Sequence, residues 1–175
     1  IRELRNDIDQ MAILGPPGLG KTSSMQYFAY LDSKRIFKEP TCETKYPIFI
    51  ELKYYDENRS IVDMIIDQLT CSTERLHQYL LEGRVSLFID GLNEILSSAA
   101  SKKSRVEINN LIKKYPGINL MITSRPGEYQ NDFDIPVFDL QPMNDDTILS
   151  FMTKHLKDND KAKDLFELLH SQDRL

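Results

Sequence analysis

The chain of 175 residues contains few cysteines and no long apolar run. Cys42 and Cys71 lie far apart, with no C-x-x-C motif and no neighbouring histidine. This spacing is typical of reduced thiols and does not indicate a zinc site. The longest apolar runs are far shorter than the ~20 residues that a membrane helix needs, and no signal peptide opens the chain. We therefore expect a cytoplasmic protein with no membrane partner.

The chain also lacks an excess of basic residues. Its 22 lysines and arginines against 27 aspartates and glutamates give a formal net charge of -5. A surface that follows the phosphates of a nucleic acid normally needs a basic excess, so the bulk charge gives no clear case for a nucleic-acid partner. A local basic face would still be compatible with one.

No methionine opens the chain, and residues 165–175 end in a helical pattern without a capping residue. We expect a fragment of a longer protein, with effector and sensor domains of unknown type outside it. The length fits one domain, or one domain with part of another.

The strongest motif present is a glycine-rich loop between an apolar run and a helical pattern. Residues 11–14 predict a buried strand, and helix-compatible residues run from 21 to about 31. The loop fits G-x-x-x-x-G-K-[ST] at every fixed position, and its glycines allow backbone N–H groups to point inward around a triphosphate. The expected nucleotide contacts are Gly15, Pro16, Pro17, Gly18, Leu19, Gly20, Lys21, Thr22 and Ser23.

Two residues at the end of this loop have separate predicted roles. Lys21 would lie between the β- and γ-phosphates, and the Thr22 hydroxyl would bind Mg²⁺. The helix that begins there would place its positive N-terminal end against the anion. The alternative is a glycine-rich turn without a ligand, but the complete motif between a strand and a helix favours nucleotide binding.

Residues 85–90 predict a buried strand that ends in an aspartate. In the Walker B pattern, a carboxylate in the place of Asp90 holds Mg²⁺ through water. An aspartate that only forms a turn is the alternative, and the phosphate loop upstream favours the metal ligand. Glu94 can reach a γ-phosphate only if Gly91 turns the chain back, and it would then orient or deprotonate the attacking water. An acidic residue in the first turn of a helix is the other interpretation of Glu94, compatible with the first.

Residues 118–123 predict a further strand that runs into Arg125. An arginine at the carboxyl end of such a strand lies on the ligand side of an open α/β sheet. There it could contact the γ-phosphate or stabilise charge that develops on it. A solvated arginine in a turn is the alternative.

The remaining patterns alternate strands with helices. We predict strands at 47–52 and 135–140 and loops at 32–45 and 99–105. Helices are predicted at 61–69 with Ser60 as N-cap, 73–81, 106–115, 145–155 and 161–170. His77 is interpreted as a surface residue, and His155 and His170 as structural. The alternation predicts an α/β fold with a mostly parallel sheet, made of a nucleotide-binding domain over 1–142 and the start of a helical subdomain over 143–175.

Four motifs together resemble the NACHT domain of the STAND class of signalling NTPases, over nearly the whole chain. They are residues 15–22, 90–94, 123–126 and 140–143. The most diagnostic element is Gly91 directly after Asp90, with the acidic residue displaced to Glu94. The resemblance is to NLR-like proteins, and it points to a bacterial source and a role in innate immunity.

This resemblance implies a three-layer P-loop NTPase fold with a five-stranded sheet in the order 5-1-4-3-2. It implies an ATP/ADP-controlled switch, in which ADP holds a closed monomer and ATP allows association with other copies. It also implies slow ATP hydrolysis, with Lys21 and Thr22 on the phosphates and Mg²⁺, Asp90 on Mg²⁺, Glu94 as the hydrolytic carboxylate and Arg125 as the sensor. Many members carry aspartate where this chain has Asn93, which leaves the hydrolysis rate open.

Other nucleotide-binding classes fit less well. An AAA+ motor usually has glutamate directly after the Walker B aspartate, where this chain has Gly91. A GTPase needs an N-K-x-D motif, which is missing, and a small-molecule kinase would place its Walker B strand beside the phosphate-loop strand. The open alternatives to the switch are an AAA+-like motor and a scaffold that holds nucleotide without hydrolysing it.

Overall fold

The computed structural model of the protein describes residues 7–38, 41, 44–69 and 71–172, without the side chains of 170–172. Its strands are β1 (Gln10–Leu14), β2 (Tyr46–Glu51), β3 (Val85–Asp90), β4 (Asn119–Ser124) and β5 (Val137–Asp139). Its helices are α1 (Lys21–Lys38), α2 (Ile61–Leu69), α3 (Thr73–Leu81), α4 (Ser98–Lys114), α5 (Asp145–Leu156) and α6 (Asn159–Gln172). Single turns of 3-10 helix follow β2, β3 and β4, at Leu52–Tyr54, Leu92–Glu94 and Pro126–Glu128.

The five strands form one sheet in the order β2-β3-β4-β1-β5, and every neighbouring pair is parallel. This is the predicted order 5-1-4-3-2, which is therefore confirmed. Because all the strands run the same way, their carboxyl ends lie along one edge of the sheet. The loops after β1, β3 and β4 meet at that edge.

Helices cover both faces of the sheet, as an all-parallel sheet requires. Alternate side chains of β1 point to opposite faces: Met11 and Ile13 pack with Met25 and Phe28 of α1. Ala12 belongs to the larger core on the other face. There α2, α3 and α4 contribute buried residues that include Ile61, Ile65, Leu76, Leu80, Ile108 and Leu111. The predicted three-layer α/β fold is confirmed.

The start of α2 shows how local sequence determines an element. The Ser60 hydroxyl accepts a hydrogen bond from Asp63 N at 3.1 Å, and Ser60 N donates to the Asp63 carboxylate at 2.9 Å. These reciprocal bonds form a capping box, and the hydrogen bonds from Ser60 lower the pKa of Asp63. The predicted N-cap is present.

The predicted loop at 32–45 is wrong in its first part, because α1 continues to Lys38. Asp32 is buried, and the Ser33 hydroxyl donates to the carbonyl of Ala29 one turn earlier. Both polar side chains are accommodated within the helix, so polarity alone did not indicate where the helix ends.

The predicted loop at 99–105 is also wrong, because this segment forms the first turns of α4. The Ser97 hydroxyl caps the helix by accepting from Ala100 N, and the small side chains of Ala100 and Ser104 are buried. Small residues allow this part of the helix to lie close to its neighbours, whereas their low hydrophobicity predicted a loop.

The predictions for the histidines and cysteines have different outcomes. His77 is not simply a surface residue, because it is half-buried and its Nδ1 shares a hydrogen bond with the hydroxyl of Tyr115. Cys71 is a half-buried free thiol. Cys42 and the side chain of His170 lie outside the described residues.

The chain divides into two compact units, Ile1–Leu140 and Gln141–Leu175. In the second unit α5 and α6 pack against each other, and Asn144 caps α5 by accepting from Thr147 N at 2.9 Å. Along the described part of the chain, no helix combines the length and the apolar character that crossing a membrane requires.

Gly83 connects α3 to β3 in a way that tests the fold. Its φ is +65°, and a Cβ there would lie 2.7 Å from the carbonyl oxygen of Gly117. We expect Gly83→Ala to lower the free energy of unfolding by at least about 1–2 kcal/mol, the typical cost of left-handed backbone for an L-residue. Urea denaturation measures this change.

Gly127→Ala is the matched control, because a Cβ there has no neighbour within 4 Å and the backbone has no positive φ. Its effect should stay within about 0.5 kcal/mol. Equal stability of the two variants would contradict the close approach of the turn at Gly83 to the turn at Gly117.

Candidate nucleotide-binding site

The loop after β1 has the backbone conformation that its glycines make possible. Gly18 and Gly20 have φ of +83° and +82°, and a Cβ at either position would meet nothing within 4 Å. The backbone conformation, and not lack of space, therefore requires glycine at both positions. Gly15 differs, because a Cβ there would lie 3.3 Å from Leu140 Cβ and 3.6 Å from Leu19 Cδ1.

Lys21 begins α1 and folds back over this loop. Its Nζ donates hydrogen bonds to the carbonyl oxygens of Gly15 at 2.6 Å and Pro16 at 2.9 Å. Burial lowers the pKa of Lys21, and the negative charge of Asp90 opposes that shift. The ammonium is thus held over the concave side of the loop, where a phosphate group would need it.

Thr22 and Asp90 connect the start of α1 to the end of β3. The Thr22 hydroxyl donates to the Asp90 carboxylate at 2.7 Å, and Asp90 is only 8% exposed. A hydroxyl and a carboxylate are the oxygen ligands that Mg²⁺ takes in proteins. The two side chains predicted as metal ligands are therefore adjacent, and their chemistry fits the ion.

Strand order decides how this contact is made. β4 lies between β1 and β3, so the two side chains reach each other across the carboxyl end of β4. A small-molecule kinase was expected to place the corresponding strands side by side. The observed order therefore argues against that class.

Thr123, the residue before the end of β4, joins this contact. Its hydroxyl donates to the second oxygen of Asp90 and accepts from Gly91 N at 2.9 Å. Thr123 is 1% exposed, so both hydrogen bonds are shielded from water. This residue fixes the orientation of the carboxylate and the start of the turn after β3.

Gly91 turns the chain back, which is the condition for Glu94 to face the phosphate loop. Its φ is +77°, and Glu94 N donates to the Gly91 carbonyl at 2.8 Å. A Cβ on Gly91 would lie 2.7 Å from Glu94 Cδ, so the glutamate side chain lies directly over the glycine. Glutamate and aspartate are thereby brought to the same cavity.

Arg125 lies at the carboxyl end of β4, where the sequence predicted it. Its backbone N–H donates to Asn93 Oδ1 at 3.2 Å, and its side chain is exposed. Its positive charge, like the negative charge of Glu94, acts on the pKa of Lys21. The three charged groups therefore share one electrostatic environment.

These residues surround one cavity of about 320 Å³. Its lining residues are Pro17, Gly18, Gly20, Lys21, Thr22, Ser23, Asp90, Gly91, Asn93, Glu94, Thr123 and Arg125. Most of the predicted site residues therefore meet at one place. Gly15 and Pro16 contribute the carbonyl groups that hold Lys21, and Leu19 packs towards Gly15.

The sequence analysis predicted no role for Thr123 and no hydrogen-bond partner for Asn93. Thr123 stands two residues before Arg125, and a polar residue inside a buried strand was the available signal. Asn93 drew attention only as a departure from the family pattern. The partners of both residues depend on which strand lies next to β3, which the residue pattern alone did not determine.

The parallel sheet and the loop that follows β1 define the protein as a P-loop NTPase. The model of the NACHT domain matches residues 9–159, so the chain belongs to the NACHT family. No curated protein matches the chain.

Two solved structures are similar to the chain. PCH-2 of C. elegans has 18% sequence identity and a TM-score of 0.52, over 85% of this chain and 40% of that chain. CDC6P from Pyrobaculum aerophilum has 20% identity and a TM-score of 0.48, over 93% of this chain and 46% of that chain. The chain thus spans less than half the length of either protein. At these identities the likeness to PCH-2 shows the fold alone.

Thr123→Val tests the two hydrogen bonds that the Thr123 hydroxyl makes with Asp90 and with Gly91 N. The change keeps the shape of the side chain but leaves the buried carboxylate oxygen and Gly91 N without this partner. We expect the free energy of unfolding to fall by about 1–3 kcal/mol in urea denaturation.

Ser124→Ala is the matched control on the neighbouring residue. The Ser124 hydroxyl is buried and has no hydrogen-bond partner in the part of the chain that the structure describes. Its removal should leave stability unchanged or slightly raise it. A Thr123→Val protein that is as stable as Ser124→Ala would contradict the role proposed for the Thr123 hydroxyl.

Proposed function

We propose that this protein is the regulatory ATPase module of a STAND signalling protein, a switch that binds ATP or ADP and hydrolyses ATP slowly. The observation that carries the proposal is the turn at Gly91, which brings Glu94 to the cavity beside Lys21 and Asp90. A module that only held nucleotide would not need a carboxylate in this position.

Each charged group has a role in this proposal. Lys21 and the loop N–H groups bind the phosphates, and Thr22 and Asp90 hold Mg²⁺, which neutralises phosphate charge when bound. Glu94 orients the attacking water and accepts its proton. Arg125 contacts the γ-phosphate and stabilises negative charge that develops on it.

Family membership and the position of the charged groups support the proposed signalling role. Arg125 and Glu94 follow the sheet on turns, so a γ-phosphate bound between them would change the contacts of both turns. We assign residues 1–142 to the nucleotide-binding domain and 143–175 to the start of a helical subdomain. In the whole cytoplasmic protein, ATP would favour association with other copies, and ADP the closed monomer.

Thermal unfolding tests nucleotide binding. We expect ADP and ATP with Mg²⁺ to raise Tm of the wild-type protein and GTP to have less effect, because a ligand that binds only the native state stabilises it by mass action. Lys21→Ala should abolish the shift, whereas Lys102→Ala, at an exposed position in α4, should keep it. An unchanged Tm with every nucleotide would contradict the proposal.

Steady-state hydrolysis tests the role of Glu94. We expect Glu94→Gln to lower kcat at least about 100-fold, because general base catalysis contributes about that much, while ADP still binds. Glu128→Gln changes an exposed glutamate beyond β4 and should leave kcat unchanged. Equal loss in both variants would contradict the specific role of Glu94. No ATP hydrolysis by the wild type would favour the scaffold instead.

Rapid turnover, with no difference in assembly between the ATP and ADP states of the full-length protein, would favour an AAA+-like motor. Size-exclusion chromatography with light scattering measures the assembly.

A further inference from the structure

A hydrogen bond joins the two turns that carry the proposed hydrolytic and sensor residues. Arg125 N donates to Asn93 Oδ1 at 3.2 Å, across 32 positions of sequence. Asn93 lies in the turn Leu92–Glu94, and Arg125 is the N-cap of the turn Pro126–Glu128. The bond therefore connects the immediate neighbour of Glu94 to the backbone of Arg125 itself.

We propose that Asn93 is a positioning residue that couples Arg125 to Glu94, so that contact with the γ-phosphate and orientation of the attacking water depend on each other. This inference rests on the nucleotide-switch function proposed above.

The sheet alone does not hold these two turns together. The pairing of β3 with β4 runs from Ser86–Asn119 to Ile89–Ile122 and ends there. Beyond it, side chains continue the connection, first through the Thr123 hydroxyl and then through Asn93. Thr123 secures the start of the turn at Gly91, whereas Asn93 acts at its far end, next to Glu94.

The exposure of the two charged residues makes this connection important. Glu94 and Arg125 are both exposed, so no surrounding core restricts them. Asn93 is half-buried and lines the same cavity. The amide oxygen of Asn93 accepts the Arg125 N–H at the edge of this cavity.

Two substitutions separate the hydrogen bond from the side chain that makes it. Asn93→Ala removes the acceptor, and Asn93→Asp keeps an acceptor oxygen at nearly the same place. Asn110→Ala changes an exposed asparagine in α4 and is the matched control.

The first measurement is hydrolysis of ATP by the full chain, as kcat and KM. We expect Asn93→Ala to lower kcat about tenfold or more with little change in KM, because misplacement of a catalytic group affects the chemical step. Asn93→Asp should recover most of the loss. Arg125→Ala keeps the backbone N–H that Asn93 binds but removes the guanidinium group. In that background, Asn93→Ala should cause a smaller further loss than in the wild type, because only its effect on Glu94 remains.

The second measurement is amide hydrogen exchange of Arg125, which needs no nucleotide. The Arg125 N–H should exchange faster in Asn93→Ala than in the wild type, and Asn93→Asp should restore protection. Together the two measurements separate a missing hydrogen bond from a hydrogen bond without functional effect.

Several outcomes would overturn the inference. Unchanged exchange in Asn93→Ala would remove its structural basis, and additive losses with Arg125→Ala would remove the coupling. If Asn93→Ala hydrolyses ATP as fast as the wild type does, this inference is overturned and the proposed function is not. A wild-type protein that binds no nucleotide would overturn the proposed function as well.

Discussion

The contact on which the site depends is the hydrogen bond between Thr22, at the start of α1, and Asp90, at the end of β3. It exists because β4 lies between β1 and β3 in a sheet whose strands are all parallel. Thr123 on that intervening strand binds the other oxygen of the same carboxylate. Side chains from the start of α1 and from β4 thus hold the buried aspartate that ends β3, which places oxygen ligands beside the phosphate loop.

The proposed hydrolytic and metal-binding groups are supported in different ways. Asp90 ends a fully buried strand and accepts hydrogen bonds from Thr22 in α1 and Thr123 in β4, so its position is determined by three packed elements. Glu94 and Arg125 lie on short turns beyond the sheet, where few contacts restrict them. A site built in this way can keep the metal ligands and the phosphate loop fixed while a bound γ-phosphate changes the contacts of the two turns. The proposed switch requires this combination.

The prediction of the elements succeeded where period and polarity agreed, as in the buried strands and the capping box at Ser60. It failed at 32–38 and at 99–105, where helices carry polar or small residues that pack within the structure. Asp32, Ala100 and Ser104 are buried, so tertiary packing stabilises helical turns that their composition does not indicate. Tertiary packing also explains why His77 is half-buried, because its partner Tyr115 lies at the end of α4.

The sequence by itself determined the phosphate loop and the identity of the candidate site residues, because a glycine loop between a strand and a helix is a local property of the chain. It also determined that Gly91 could turn the chain, since glycine reaches positive φ at little cost. Only the tertiary structure decided that Gly91 does so, that Thr123 orients Asp90 and that Asn93 binds the Arg125 backbone. The two hydrogen bonds of Thr123 and Asn93 join residues 33 and 32 positions apart. Their geometry depends on strand register and loop conformation, to which no local pattern corresponds.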